Sequence, residues 1–265
     1  MYVDSHCHLS FPELSANLTG IRCAMKAAQV DRALCICTTL EEFDQVHALA
    51  LGYDNFWCTA GVHPDNEGVR EPALPDLLAL AAKPRVVAIG ETGLDYFRLN
   101  GRTVAEMEWQ RERFRVHIRA ACATSLPLVV HTRSASDDTI AILREEGAAV
   151  PGGVFHCFTE TEAVARAALD LGFYISFSGI LTFKTAQALR EVARFVPLDR
   201  CLIETDSPYL APVPFRGKTN SPAYVPYVAE QIAMLKGLPV AQIAAATSAN
   251  FEHLFKLPAF KSEGN

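Results

Sequence analysis

The apolar positions of this chain gather into eight short runs separated by longer mixed stretches. They are YVDSH at 2–6, RALCICTT at 32–39, NFWCTAGV at 55–62, RVVAIGE at 85–91, LPLVVHT at 126–132, GGVFHCF at 152–158, GFYISFSG at 172–179 and RCLIETD at 200–206. The runs are apolar almost throughout and do not alternate with polar residues. Parallel strands covered on both faces have that pattern.

The stretches between the runs carry helix signals. Thr39–Glu42, Thr103–Glu106 and Thr159–Glu162 each read as a capping box, in which a hydroxyl and a carboxylate three residues on satisfy each other's backbone amides. From about 103 to 124, Met107, Phe114, Ile118 and Ala121 recur at helical spacing, with the arginines and glutamates expected outward. A stiff Pro-rich stretch at 207–224 follows the last run, and two helices (about 223–236 and 239–255) close the pattern. Eight strands alternating with helices predict an α/β protein, a single (β/α)8 TIM-type barrel with an extra C-terminal helix. A doubly wound open sheet would call for a glycine-rich phosphate loop, and neither GxGxxG nor a Walker motif occurs. The barrel is assigned to residues 1–257, and 258–265 to a loose tail.

Composition narrows the class without changing the fold. The chain has 265 residues, half of them hydrophobic, which suits one large core. Eight cysteines lie mostly inside apolar runs and lack zinc-finger spacing, so they read as reduced thiols. With no leader-like N-terminus and no long apolar run, a cytoplasmic protein without a membrane span is expected. No exposed apolar stripe argues for a dimer, so a monomer is expected. The net charge of −6 excludes nucleic-acid binding through bulk charge. A polyanionic substrate would need local cations.

The histidines carry the chemistry. His47, His117 and His253 fall on predicted helices and read as surface or half-buried residues. His6, His8, His63, His131 and His156 all fall at or just past the C-terminal ends of predicted strands, where a barrel builds its active site. Asp4, Glu91, Glu204 and Asp206 join them at strand ends. His6 and His8, two apart on a strand, project to one side, with Cys7 pointing away. Four imidazoles (His6, His8, His131, His156) and two carboxylates (Glu91, Asp206) converging on one face would be costly to bury without a cation. They read as a metal site. His63 reads as a substrate contact or a loop brace. Glu204 reads either as a carboxylate orienting a ligand histidine or as part of a structural ion pair.

The motifs VDSHCHL, GVHP, GETGLDY, PLVVHTR, GVFHCF and ETDSPYL, in this order, resemble the TatD family of metal-dependent deoxyribonucleases and hydrolases, and the YcfH-like branch in particular. The resemblance runs from residue 1 to about 256. It implies a somewhat distorted TIM barrel of the amidohydrolase superfamily. It also implies two divalent cations (zinc, manganese or magnesium): one held by His6, His8 and Asp206, one by His131 and His156, with Glu91 shared. Glu91 stands where many amidohydrolases carry a modified lysine. Ser10 departs from the family, many of whose members have Asp or Asn shortly after HxHL.

Two such cations could serve ester hydrolysis, with Asp206 orienting or deprotonating the attacking water. Arg133, Lys184, Arg216 and Lys218 are candidates for a positive rim, with Tyr209 and Phe215 either stacking on bases or packing the loop. The leading reading is phosphodiester hydrolysis, as a 3'-5' exonuclease on single-stranded DNA or RNA. The alternatives are hydrolysis of another ester or an amide, such as an aminoacyl-tRNA ester or a small phosphoester, and a non-catalytic metal-dependent nucleic-acid-binding protein.

Overall fold

A computed structural model of the chain describes residues 1–258. The eight predicted runs all form strands: β1 (Tyr2–Cys7), β2 (Val30–Cys35), β3 (Phe56–Ala60), β4 (Val86–Asp95), β5 (Leu128–Arg133), β6 (Gly153–Phe155), β7 (Tyr174–Phe177) and β8 (Cys201–Ile203). Among the described residues ten α-helices intervene or follow: α1 (Pro12–Ser15), α2 (Leu18–Ala27), α3 (Phe43–Gly52), α4 (Leu74–Ala81), α5 (Glu108–Thr124), α6 (Ser136–Glu145), α7 (Glu162–Asp170), α8 (Gln187–Phe195), α9 (Val225–Lys236) and α10 (Val240–Leu254).

The strands pair in parallel in simple order from β1 to β8. The ring is completed irregularly. The Asp206 amide donates to the His6 carbonyl at 2.9 Å, and the His8 amide donates to the Ser207 carbonyl at 2.8 Å. The result is a nearly closed barrel, and its seam lies beside the first histidine pair.

Two apolar clusters hold it. The larger packs the outer strand faces against the helices. The smaller joins residues of every strand, among them Val3, Leu34, Trp57, Val87, Val129, Val154, Tyr174 and Leu202, so it must occupy the lumen. Phe251, Leu254 and Phe255, at the end of α10, join that cluster. The added helix therefore seals one end of the barrel with apolar side chains.

Some local expectations shift. The Thr39–Glu42 and Thr103–Glu106 boxes form. The third does not start at Thr159: Thr161 caps α7, its hydroxyl accepting from the Val164 amide at 3.4 Å. On α5 the apolar face is as predicted, but Arg113 and His117 are buried beside it, where the arginines were expected outward and the histidine at the surface or half-buried. The reason lies fifty residues upstream. Arg113 Nη1 donates to the carbonyls of His63 (2.8 Å) and Asn66 (2.9 Å), and His117 Nε2 accepts from the Val62 amide at 3.0 Å. Burial pushes the His117 ring down to about 4, so it stays neutral. The loop carrying GVHP is thus clamped from behind by α5.

No single helix among the described residues is long and apolar enough to cross a membrane. In the stretch assigned to a tail, residue 258 accepts a hydrogen bond from Arg32 through its carbonyl (2.8 Å), and 259–265 lie outside the described residues.

Candidate metal centre

Two bulges aim the site. On β1, Asp4 pairs with Ala33 and Cys7 with Cys35, three residues against two. The extra residue breaks the alternation between Asp4 and His6. Asp4, counted with the strand-end acids, is therefore not in the cluster. Its carboxylate accepts from the His6 and Thr205 amides and bonds the Thr205 hydroxyl at 2.5 Å. On β4, Ile89 pairs with Leu128 and Thr92 with Val130, again three against two, around Glu91. The flanking glycines permit this. A Cβ on Gly93 (φ +134°) would sit 1.9 Å from the His131 carbonyl, and one on Gly90 (φ +151°) 2.7 Å from that of Val129.

Glu91 is the hub. Its Oε2 lies 3.3 Å from His6 Nε2 and 4.0 Å from His8 Nε2. Its Oε1 lies 2.7 Å from His156 Nε2 and 3.3 Å from both His131 Nδ1 and His63 Nε2. Asp206 Oδ1 closes the first side, 3.3 Å from His8 Nε2 and 3.5 Å from His6 Nε2. All six sequence-named ligand candidates thus converge, with one oxygen of Glu91 toward each histidine pair.

Hydrogen-bond partners sort three of the five histidines. His131 Nε2 is 2.9 Å from Asp95 Oδ2, so it carries the proton and Nδ1 presents its lone pair inward. His156 Nδ1 is 3.3 Å from Glu204 Oε1, so Nε2 is the nitrogen that faces inward and can hold a cation once its proton is displaced. His63 is the opposite case. Its Nδ1 accepts from the Asp65 amide at 3.0 Å, so Nε2 bears the proton and donates toward Glu91. His63 therefore donates to the Glu91 carboxylate and lacks a lone pair for a cation, although it lies as near to Glu91 as His131 does.

The electrostatics follow. Burial would raise the Glu91 carboxyl, but His156, His63 and His6 hold it well below its usual range. Asp206 behaves likewise: burial is overridden mainly by the hydrogen bond with His8. His6 stacks on His156 (centroids 3.9 Å apart, planes 6° apart) and is lowered by burial and by the charge of that neighbour, whereas His156 is raised well above its ordinary value because Glu91 and Glu204 outweigh burial. Negative charge is held in the middle of a buried cluster of nitrogens.

The donor set fits divalent cations. His156 Nε2 is 2.7 Å from Glu91 Oε1 yet makes no hydrogen bond, and the Nε2 atoms of His6 and His8 both face Glu91 Oε2 and Asp206 Oδ1. Atoms that approach without pointing at each other share an empty focus between them. Two groupings, His6–His8–Glu91 and His6–His156–Asp206, have ligand atoms within 4.8 Å of one another. A third, His63–Glu91–His131, meets the same distance test, but the tautomer removes His63 from it.

Glu204 faces His156, a contact that both of its expected roles require. It is fully buried, and its Oε1 accepts from the Cys157 amide at 2.8 Å as well as facing His156. Asp95, which the sequence reading passed over, does the same for His131. Its signal was its even spacing from Glu91 on one strand. The rim residues stand apart from the cluster. Arg133 lies over Phe97 and Arg216 over Phe183, while Lys184 and Lys218 are exposed. Phe215 packs the loop, stacked on Tyr224 at 4.1 Å, while Tyr209 is exposed.

A family model described as "TatD related DNase" matches residues 3–256. The "uncharacterized metal-dependent hydrolase YcfH" of Escherichia coli K12 is 48% identical over 261 residues, covering 97% of this chain and 96% of the relative. A Citrobacter rodentium protein named "3'-5' ssDNA/RNA exonuclease TatD" is 39% identical over 235 residues, 86% of this chain and 88% of its own. The crystal structure of YjjV, a TatD homologue from E. coli K12, superposes with a TM-score of 0.89 at 29% identity, covering 97% of this chain and 98% of that one. The chain belongs to the family of TatD-related DNases, a family of metal-dependent hydrolases.

Proposed function

We propose that this protein hydrolyses phosphodiester bonds of single-stranded nucleic acid at a site for two divalent cations. The observation that carries the reading is the split of Glu91, with Oε2 toward His6 and His8, which also face Asp206, and Oε1 toward His131 and His156. One carboxylate facing two sets of free nitrogens supports two cation positions with a shared ligand. The imidazole-rich donor set favours zinc or manganese over magnesium. When bound, the cations would acidify a water and neutralise charge on the phosphoryl and leaving oxygens.

The protein's own residues supply the rest. Asp206 is ionised and stands at the mouth side of the cluster, suited to take a proton from the attacking water. As the water oxygen bonds to phosphorus and the ester bond breaks, the same proton can pass to the leaving alkoxide. His63 Nε2–H holds Glu91, while Asp95 and Glu204 fix the rings of His131 and His156. Arg133, Lys184, Arg216 and Lys218 stand on the mouth loops as candidates for phosphate contacts. The choice of bond and the 3'-5' polarity rest on the exonuclease relative.

The test is direct. Metal-replete protein is incubated with single-stranded DNA, RNA and a panel of small esters and amides, beside His131→Ala, and its metal content is measured. Cleavage of the nucleic acids that needs His131, with close to two cations per chain, is expected. Turnover of small esters or amides alone would replace the substrate, and metal-dependent binding with no turnover would leave a nucleic-acid-binding protein.

A further inference from the structure

We propose that the barrel mouth carries two base-stacking stations on opposite sides of the metal centre, so that a single strand lies across the cluster with its reacting phosphate between two held bases. This rests on the nucleic-acid reading above.

The first observation is exposure. Among the described residues, the exposed large hydrophobic side chains that are aromatic are Phe97 (57%) and Tyr209 (53%). Both stand on mouth loops, one just past β4 and one just past β8. A base stacked on either ring would cover apolar surface now open to water.

The second is position. Phe97 is tied to the cluster through Asp95, which accepts from the Phe97 amide at 2.9 Å and also bonds His131. Tyr209 is tied to the other side. It meets Phe11 edge-on at 6.4 Å, and Phe11 stacks on His8 at 4.7 Å. The loops after β4 and β8 lie four strands apart in a ring of eight, which is opposite sides of the mouth. A ligand touching both rings must pass over Glu91.

The third is charge. Each station has an arginine parked on an aromatic face: Arg133 3.6 Å above Phe97, and Arg216 4.3 Å above Phe183 in the loop neighbouring Tyr209. The Val213 amide bonds the Thr182 hydroxyl at 2.9 Å, which holds those two loops together. Among the described residues neither arginine forms an ion pair, unlike Arg111, Arg113, Arg115 and Arg119 of α5. A guanidinium beside an exposed ring offers a phosphate grip next to a base platform, the combination used on single strands without sequence preference. A duplex could not splay two bases onto rings so placed, so the occupant is a single strand.

The experiment pairs variants with modified substrates. Cleavage of a thymidine oligonucleotide by the metal-loaded enzyme is compared with Phe97→Ala, Tyr209→Ala and the ring-conserving Phe97→Trp and Tyr209→Phe. The same oligonucleotide is also used with an abasic residue at the last or the penultimate position. Each alanine variant is expected to raise KM about tenfold, with kcat changed less than about twofold, and the ring-conserving variants to stay near wild type. Each alanine variant should also lose sensitivity to the abasic residue at one of the two positions, a different one for each variant. A KM within about twofold of wild type in both alanine variants, or penalties that add fully with both abasic positions, would overturn the stations while leaving the nuclease reading intact. A wild-type enzyme that cleaves no single strand but turns over small esters would remove both.

Discussion

The two ends of this barrel are built from the same eight strands and could hardly be more different. At one end the lumen holds Val3, Leu34, Trp57 and Leu202, sealed by Phe251, Leu254 and Phe255 of α10. At the other it holds five histidines around two carboxylates, each fixed by a specific hydrogen bond or left with an unpaired nitrogen. The closed end does not constrain chemistry and can be filled by any well-packed apolar set. The open end concentrates desolvated charge that costs stability until cations neutralise it. The contrast separates residues whose loss should change folding from residues whose loss should change only turnover.

The sharpest break in that separation is at Glu91. Glu91→Gln removes the charge facing both histidine pairs while keeping the shape, and is expected to lower kcat on the order of 10^3-fold or more. Metal content should fall with it, and elemental analysis beside kinetics reads both. The opposite end gives the mirror result. Phe251→Ala opens a cavity under the lumen and should cost about 3–5 kcal/mol in chemical denaturation, with activity per folded molecule unchanged. Activity lost in step with Glu91→Gln would show that the two ends are not independent.

A smaller effect tests the tautomer argument. Asp95→Asn lets the amide face His131 Nε2 as either donor or acceptor, so the ring is no longer fixed with Nδ1 free. Metal affinity is expected to weaken about 10–100-fold at the His131 side, with thermal stability little changed. A metal titration followed by calorimetry separates this from a folding defect.

The pH dependence of metal binding comes next. In the metal-free protein burial opposes protonation of His156, but Glu91 and Glu204 win and hold the ring protonated well above its ordinary range. A cation must displace that proton. Affinity should therefore rise with pH until the folded ring has lost its proton, and binding near pH 7 should release protons. Calorimetry in buffers of different ionisation enthalpy counts them, and affinity flat from about pH 6 to 9 would contradict the assignment.

The smallest expected effect belongs to Asp4, just behind the cluster. Burial pushes its carboxyl up to about 8 from 3.8, against hydrogen bonds with Thr205 and His6. Between those values the unfolded chain gives up a proton that the folded chain keeps, so stability falls as pH rises through that window and stays reduced above it. Asp4→Asn, able to donate to the Thr205 hydroxyl, should remove that slope and raise Tm by a few degrees above pH 8. A Tm–pH profile parallel to wild type would refute it.

Much of this was legible in the linear pattern. Apolar runs without alternation marked all eight strands, because a strand buried on both faces has no polar side. Histidines at strand ends marked the mouth, because parallel strands in a barrel all end on the same rim. What stayed hidden depended on pairings far along the chain. Arg113 and His117 belong to the buried face of α5 because backbone groups at Val62, His63 and Asn66 satisfy them. Thr161 rather than Thr159 caps α7, a two-residue choice that local signals do not resolve. Asp4 was counted among the strand-end acids, and the β1 bulge turns it out of the cluster.

The order of elements, the set of residue types at the mouth and the pairing of His6 with His8 were therefore determined by the sequence alone, since each follows from local periodicity. Which nitrogen of His131, His156 and His63 faces inward was decided only by tertiary structure. That assignment depends on second partners: Asp95 for His131, Glu204 for His156 and the Asp65 amide for His63. An imidazole is the same residue in either tautomer, and only the neighbour brought to its other nitrogen makes it a ligand or a donor.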